Sequence, residues 1–125
     1  MGNIPNISDG EWEVMRVVWD QHPITAVEVA ELVEPRTGWT ERTVKTLLSR
    51  LVQKGALRFK SEGKRYQYRP AVSRSAMIRA ESRSFLDRVF DGQASPFLAQ
   101  IVRQSKLSPD EIAQLKKLLD EKGGR

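Results

Sequence analysis

A mainly α fold with one small β-hairpin, arranged as a winged helix-turn-helix DNA-binding domain plus a C-terminal helical dimerisation domain, is what this 125-residue chain predicts. Three observations carry that expectation. Capped amphipathic helices follow one another as far as Lys54, a short alternating segment comes next, and the helical period then returns.

The first helix opens on Ser8-Asp9-Gly10-Glu11, a capping box whose hydroxyl and carboxylate can satisfy each other's backbone donors. Trp12, Met15, Val18 and Trp19 then recur at three- and four-residue spacing, which predicts a helix over about 9–21. His22-Pro23 ends it, because the residue before proline is pushed out of the helical region. A second box, Thr25 to Glu28, starts a short helix through Leu32 or Val33, with Pro35 and Gly38 breaking the chain. Trp39-Thr40 leads into a third helix from Glu41 to Lys54, striped by Val44, Leu47, Leu48 and Leu51 and followed by Gly55 as a left-handed cap.

Ala56–Lys60 and Arg65–Arg69 alternate as half-buried strands do, joined by a Ser61–Lys64 loop and closed by Pro70. From Ser73 a long helix is expected to about Asp91, with Met77, Ile78, Phe85, Leu86, Val89 and Phe90 on one face. Gly92 stops it. Ser95 is read as the cap of the next helix, with Pro96 at its first position. Ser108-Pro109-Asp110-Glu111 repeats the device for a last helix ending at Gly123-Gly124. The division expected from this pattern is a DNA-binding domain over 1–72 and a three-helix dimerisation domain over 73–125.

Composition removes several function classes. The chain has no cysteine, hence no disulfide, thiolate nucleophile or sulfur-based metal site. Its one histidine, His22, sits in a turn. No catalytic residue, metal site or cofactor is expected. Apolar runs fall short of the roughly 20 residues a spanning helix needs, and no secretory signal is visible at Met1–Pro5, so the expected location is cytoplasmic, without membrane insertion.

The net charge of +5 hides an asymmetry. Met1–Pro35 sums to −6, Arg36–Pro70 to +8 and the remainder to +3. A cationic block confined to the third helix and the hairpin is the footprint of a polyanion-binding face. Arg42, Lys45, Thr46, Ser49, Arg50 and Gln53 lie off the apolar stripe of helix three, where hydroxyls and long cations suit base and phosphate contacts. Lys60, Lys64 and Arg65 are expected near the hairpin tip, on the DNA backbone. The competing expectation is a winged-helix adaptor that uses helix three to dock protein.

The last fifty residues hold more large apolar side chains than so short a segment can cover. Phe85, Leu86, Phe90, Phe97, Leu98 and Ile101, with Leu115 and Leu118, are the expected homodimer interface. Two recognition helices would then be spaced for a palindromic operator.

Ile7-Ser8-Asp9-Gly10-Glu11-Trp12-Glu13-Val14-Met15, Gly38-Trp39-Thr40-Glu41-Arg42-Thr43-Val44-Lys45-Thr46-Leu47-Leu48-Ser49-Arg50-Leu51 and Tyr66-Gln67-Tyr68 resemble the BlaI/MecI penicillinase-repressor family. The resemblance runs from about Ile7 to Lys122. It implies a dimeric repressor of resistance operons on double-stranded operator DNA, relieved when a membrane sensor-protease triggers cleavage, directly or indirectly. It places Thr43, Lys45, Thr46 and Arg50 where the family reads its operator, with lysine at 45 in place of the expected arginine. The family's scissile bond, typically Asn-Phe, falls at Gln100-Ile101 here. The cysteine-rich tail of copper-responsive relatives has no counterpart.

Overall fold

The computed structural model describes residues 4–124. The element order is α1 (Asp9–Asp20), α2 (Ala26–Thr37), α3 (Glu41–Lys54), β1 (Leu57–Glu62), β2 (Arg65–Pro70), α4 (Arg74–Phe90), α5 (Ala94–Gln104) and α6 (Pro109–Gly124). None of these helices is long and apolar enough to cross a membrane. The chain forms two compact units, Met1–Ser82 and Arg83–Arg125, with the division inside α4. The start of α4 belongs to the first unit because Met77 is fully buried in that unit's core.

Local signals set most helix ends in the first unit. Glu11 N–H donates to Ser8 Oγ at 3.2 Å while Ser8 N–H donates to Glu11 Oε1 at 2.7 Å, the reciprocal box expected for α1. Thr25 and Glu28 make the same pair of bonds for α2. Val14, Met15 and Val18 of α1, Val29 and Val33 of α2, and the α3 stripe Val44, Leu47, Leu48 and Leu51 interlock in one core. Burying each such side chain contributes about 1.5–3 kcal/mol, so packing rather than propensity fixes the three helices.

The hairpin is antiparallel, with Phe59 opposite Tyr68 and Glu62 opposite Arg65. Leu57 and Tyr68 tuck into the core. A further tie is absent from any local pattern: Ile24, between α1 and α2, exchanges both backbone hydrogen bonds with Tyr68, at 3.1 and 2.7 Å. Trp19 Nε1 donates to the Val72 carbonyl at 3.0 Å, holding the chain after the hairpin against α1.

Four expectations change. The second helix does not stop at Val33; it continues through Pro35 to Thr37. Proline removes one N–H, but the turn is held by Gly38 N–H to Glu34 O at 2.8 Å and Thr37 Oγ1 to Val33 O at 2.9 Å. The hairpin loop is two residues, Gly63-Lys64, not four, because Gly63 at φ 62° supplies the left-handed turn that lets Glu62 pair with Arg65. Ser95 is not a cap: α5 begins at Ala94 after Gln93, which makes no side-chain cap bond. Ile78 is exposed whereas Met77 is buried, so the two do not share an apolar face.

In the second unit Asp91 and Gly92 both take positive φ, ending α4. The Ser108–Glu111 box starts α6 with bonds of 2.8 and 3.1 Å. No described residue of α5 or α6 is buried.

Candidate nucleic-acid interface

Two local caps and one apolar stripe aim the third helix. Thr43 N–H donates to Thr40 Oγ1 at 3.3 Å at its start. Gly55, at φ 86°, ends it with its N–H on the Val52 carbonyl at 3.0 Å. With Val44, Leu47, Leu48 and Leu51 inward, Arg42, Thr43, Lys45, Thr46, Ser49 and Arg50 are all exposed.

They do not form one undivided surface. Arg42, Thr46, Arg50 and Gln53 border a concavity along one flank of α3. Glu41, Lys45 and Ser49, at four-residue spacing, border that flank and also a groove walled by the start of α2 and by the hairpin residues Ser61, Gly63, Lys64, Arg65 and Tyr66. The structure therefore brings Lys64 and Arg65 together with Lys45 and Ser49 across one groove.

Lys60 is set apart from that groove. Strand alternation puts Phe59, Ser61, Tyr66 and Tyr68 on one side of the hairpin and Arg58, Lys60, Arg65 and Arg69 on the other; of the latter only Arg65, next to the turn, also lines the groove. Lys60 lines a separate concavity with Arg58, Phe59 and Arg69.

The hydrogen bonds sort the base-contact candidates. Thr46 Oγ1 donates back to the Arg42 carbonyl at 3.2 Å, so outward it offers its methyl group and an acceptor oxygen. Thr43 Oγ1 lies 3.4 Å from the capping hydroxyl of Thr40. Lys45 Nζ is held by Glu41 Oε2 at 3.0 Å. Arg50 makes no side-chain bond to another described residue, and its fork is open to a ligand. Glu41 also lines both concavities, which the sequence did not single out; its i, i+4 spacing to Lys45 was the available signal.

Two groups beside the groove depart from their ordinary values, mainly through capping and burial. The backbone and hydroxyl of Thr25 hold the Glu28 carboxyl below its ordinary 4.5, with a smaller contribution from Arg65. Burial pushes the Tyr68 phenol above 10.0, aided by Tyr66 and opposed by Lys45. Tyr68 is therefore neutral at pH 7 and adds no negative charge. Among the described residues no group of three or more His, Cys, Asp or Glu side chains could hold a metal ion.

The second unit presents a different chemistry. Phe85, Phe90 and Phe97 stack into a ring cluster with centroid separations of 5.2–6.1 Å, and Leu86 is half-buried nearby in sequence. Leu98, Ile101, Leu115 and Leu118 are 40–60% exposed. A single chain leaves that aliphatic surface in water. Gln100 and Ile101 lie inside α5, both exposed, with Gln100 Nε2 donating to Gln104 Oε1 at 3.2 Å.

Comparison with known proteins places this arrangement. The chain is 36% identical over 125 residues to the penicillinase repressor of Bacillus licheniformis, covering all of this chain and 98% of that protein. It is 32% identical over 116 residues to the methicillin resistance regulatory protein MecI of Staphylococcus aureus (strain N315), covering 93% and 94%. Among solved structures it is similar to monomeric Bacillus licheniformis BlaI in complex with the blaP half-operator, at 40% identity and a TM-score of 0.52, covering 60% of this chain and 92% of that one. The penicillinase repressor family model matches residues 7–121. With that span matched and its winged helix described, the chain belongs to the penicillinase repressor family.

Proposed function

We propose that this protein is a sequence-specific DNA-binding transcriptional repressor that acts as a homodimer on a palindromic operator. The single observation that carries the reading is the exposed α3 face facing Lys64 and Arg65 of the hairpin across one groove. The half-operator complex of the 40%-identical BlaI supports it. In this reading α3 enters the major groove. Arg50, Lys45, Thr43 and Thr46 meet base edges or adjacent phosphates, while Arg42, Ser49, Lys64 and Arg65 meet the sugar–phosphate backbone; Lys60, which lines a separate concavity, takes no part in this contact.

Residues 1–72 carry this contact, and residues 73–125 join two copies through Phe85, Leu86, Phe90, Phe97, Leu98, Ile101, Leu115 and Leu118. The exposed apolar surface of α5 and α6 supports that role, because one copy leaves it in water. A two-fold pair presents the same patch from both partners and sets the spacing of two α3 helices. Relief of repression by a cut between Gln100 and Ile101, under a membrane sensor-protease, completes the reading. Both residues are exposed, and α5 has no buried residue to resist local unwinding. Intact mass before and after antibiotic induction tests this step; a full-length chain in derepressed cells removes it.

Fluorescence anisotropy of the purified protein on duplexes from upstream of its own gene tests the main reading. Binding should weaken steeply and linearly in log–log form as salt rises, with a slope near −0.9 for each phosphate neutralised. No binding to any duplex at low salt would contradict it.

A further inference from the structure

Glu41 is the only acidic residue lining the α3 concavities among the described residues. It occupies the first helical position after the Thr40 cap, with its side chain 44% exposed and its carboxylate on Lys45 Nζ at 3.0 Å. Two ordinary benefits attach to an acid there: a favourable helix-dipole interaction and an i, i+4 ion pair. Both are small at an exposed site. Against them stands a larger penalty in a polyanion-binding surface. The carboxylate repels each phosphate that approaches, and it occupies the Lys45 ammonium that would otherwise neutralise one.

Against a duplex, a carboxylate in this position is a net advantage only where it meets a hydrogen-bond donor of the DNA. The major groove offers such donors as exocyclic amino groups, and cytosine N4 is the usual partner of a glutamate. The first turn of a recognition helix is the part that reaches base edges. Arg42 cannot substitute, because a guanidinium has no acceptor.

Resting on the DNA-binding reading above, we propose that Glu41 is a specificity-determining residue. Its carboxylate accepts a hydrogen bond from cytosine N4 at one base pair in each half-site and disfavours every duplex that lacks a donor there. Glu41 thus lowers affinity for DNA in general so that one sequence stands out.

The test compares the full-length protein with Glu41→Ala and Glu41→Gln on a randomised duplex library and on one fixed random duplex. Both variants should bind the random duplex several-fold tighter than the parent, with a salt slope steeper by about 0.9. In sequences selected by Glu41→Ala, one cytosine preference of roughly five- to hundredfold should vanish while the remaining preferences persist. A merely structural role predicts the opposite sign, weaker binding to all duplexes together with a lower Tm, and would overturn the proposal. Unchanged base preferences would overturn it as well. If the parent itself ignores every duplex, the DNA-binding reading fails first and takes this proposal with it.

Discussion

Lys54, the last residue of α3, donates to the buried carboxylate of Glu11 in α1 at 2.6 Å and to the Asn6 carbonyl at 3.0 Å. The Glu11 side chain is only 2% exposed, and its Oε1 also accepts the Ser8 N–H. One charge pair therefore joins the start of α1 to the end of α3. Replacing Lys54 with Met removes the cation and leaves a buried anion. The expected loss is about 1–3 kcal/mol, moderated because Lys54 itself is partly solvated. Chemical denaturation of the variant measures it, and adding Glu11→Gln should recover part of the loss. Additive losses would show that the two residues act independently.

Acid stability follows from the same carboxylate. Burial pushes the Glu11 carboxyl up, but the bonds from Lys54 and Ser8 outweigh it and hold the group below 4.5. A depressed folded-state value means that this contribution is present above the unfolded value. It is lost as pH falls through the folded value. Glu28 shifts in the same direction. Stability should therefore decline as the solution is acidified below about pH 4.5, and Glu11→Gln should flatten that decline. Parallel pH profiles for the two proteins would show that Glu11 does not titrate as described.

Arg50 and Lys64 should separate base reading from phosphate contact. Arg50→Ala is expected to cost about 1–3 kcal/mol on the cognate operator and little on random DNA. Lys64→Ala should weaken both and flatten the salt slope by about one unit. Equal losses for Arg50→Ala on both duplexes would reassign Arg50 to the phosphates.

Phe97 sits between Phe85 and Phe90, with ring centroids 5.4 and 5.2 Å away. Phe97→Asp introduces a charge into the face assigned to the second copy. It should shift the protein to a single-chain species in sedimentation while the circular dichroism of α1–α3 persists. Affinity for a half-operator should hardly change, and affinity for the full operator should drop toward that of a half. A dimer that survives the substitution would place the interface elsewhere.

How much of this was legible in sequence depends on the range of the interaction. The bounds of α3 were readable because Thr40 and Gly55 act within a few residues of themselves. The outward direction of Arg42, Lys45 and Arg50 was readable because a four-residue apolar stripe leaves one opposite face. Pro35 misled because a general rule about proline ignored the bonds of Thr37 and Gly38 that close the turn behind it. Gly63 permits a tighter turn than its four-residue neighbourhood suggested. The Ile24–Tyr68 bridge and the Glu11–Lys54 pair join residues far apart in the chain, where no periodicity operates. Lys60 looked like a tip residue by proximity, yet strand alternation turns it to the opposite side from Ser61 and Tyr66. Glu41 was legible as the start of α3 but not as a groove residue, because its place there depends on the hairpin packed opposite Lys45 and Ser49.

The most direct measurement is a footprint of the purified protein on the DNA upstream of its own gene. Two copies holding two α3 helices should protect two inverted half-sites, their centres about 34–36 Å or a multiple of it apart on one side of the duplex. An unprotected promoter region, or a single unpaired half-site bound as tightly as any longer fragment, would contradict the two-copy grip.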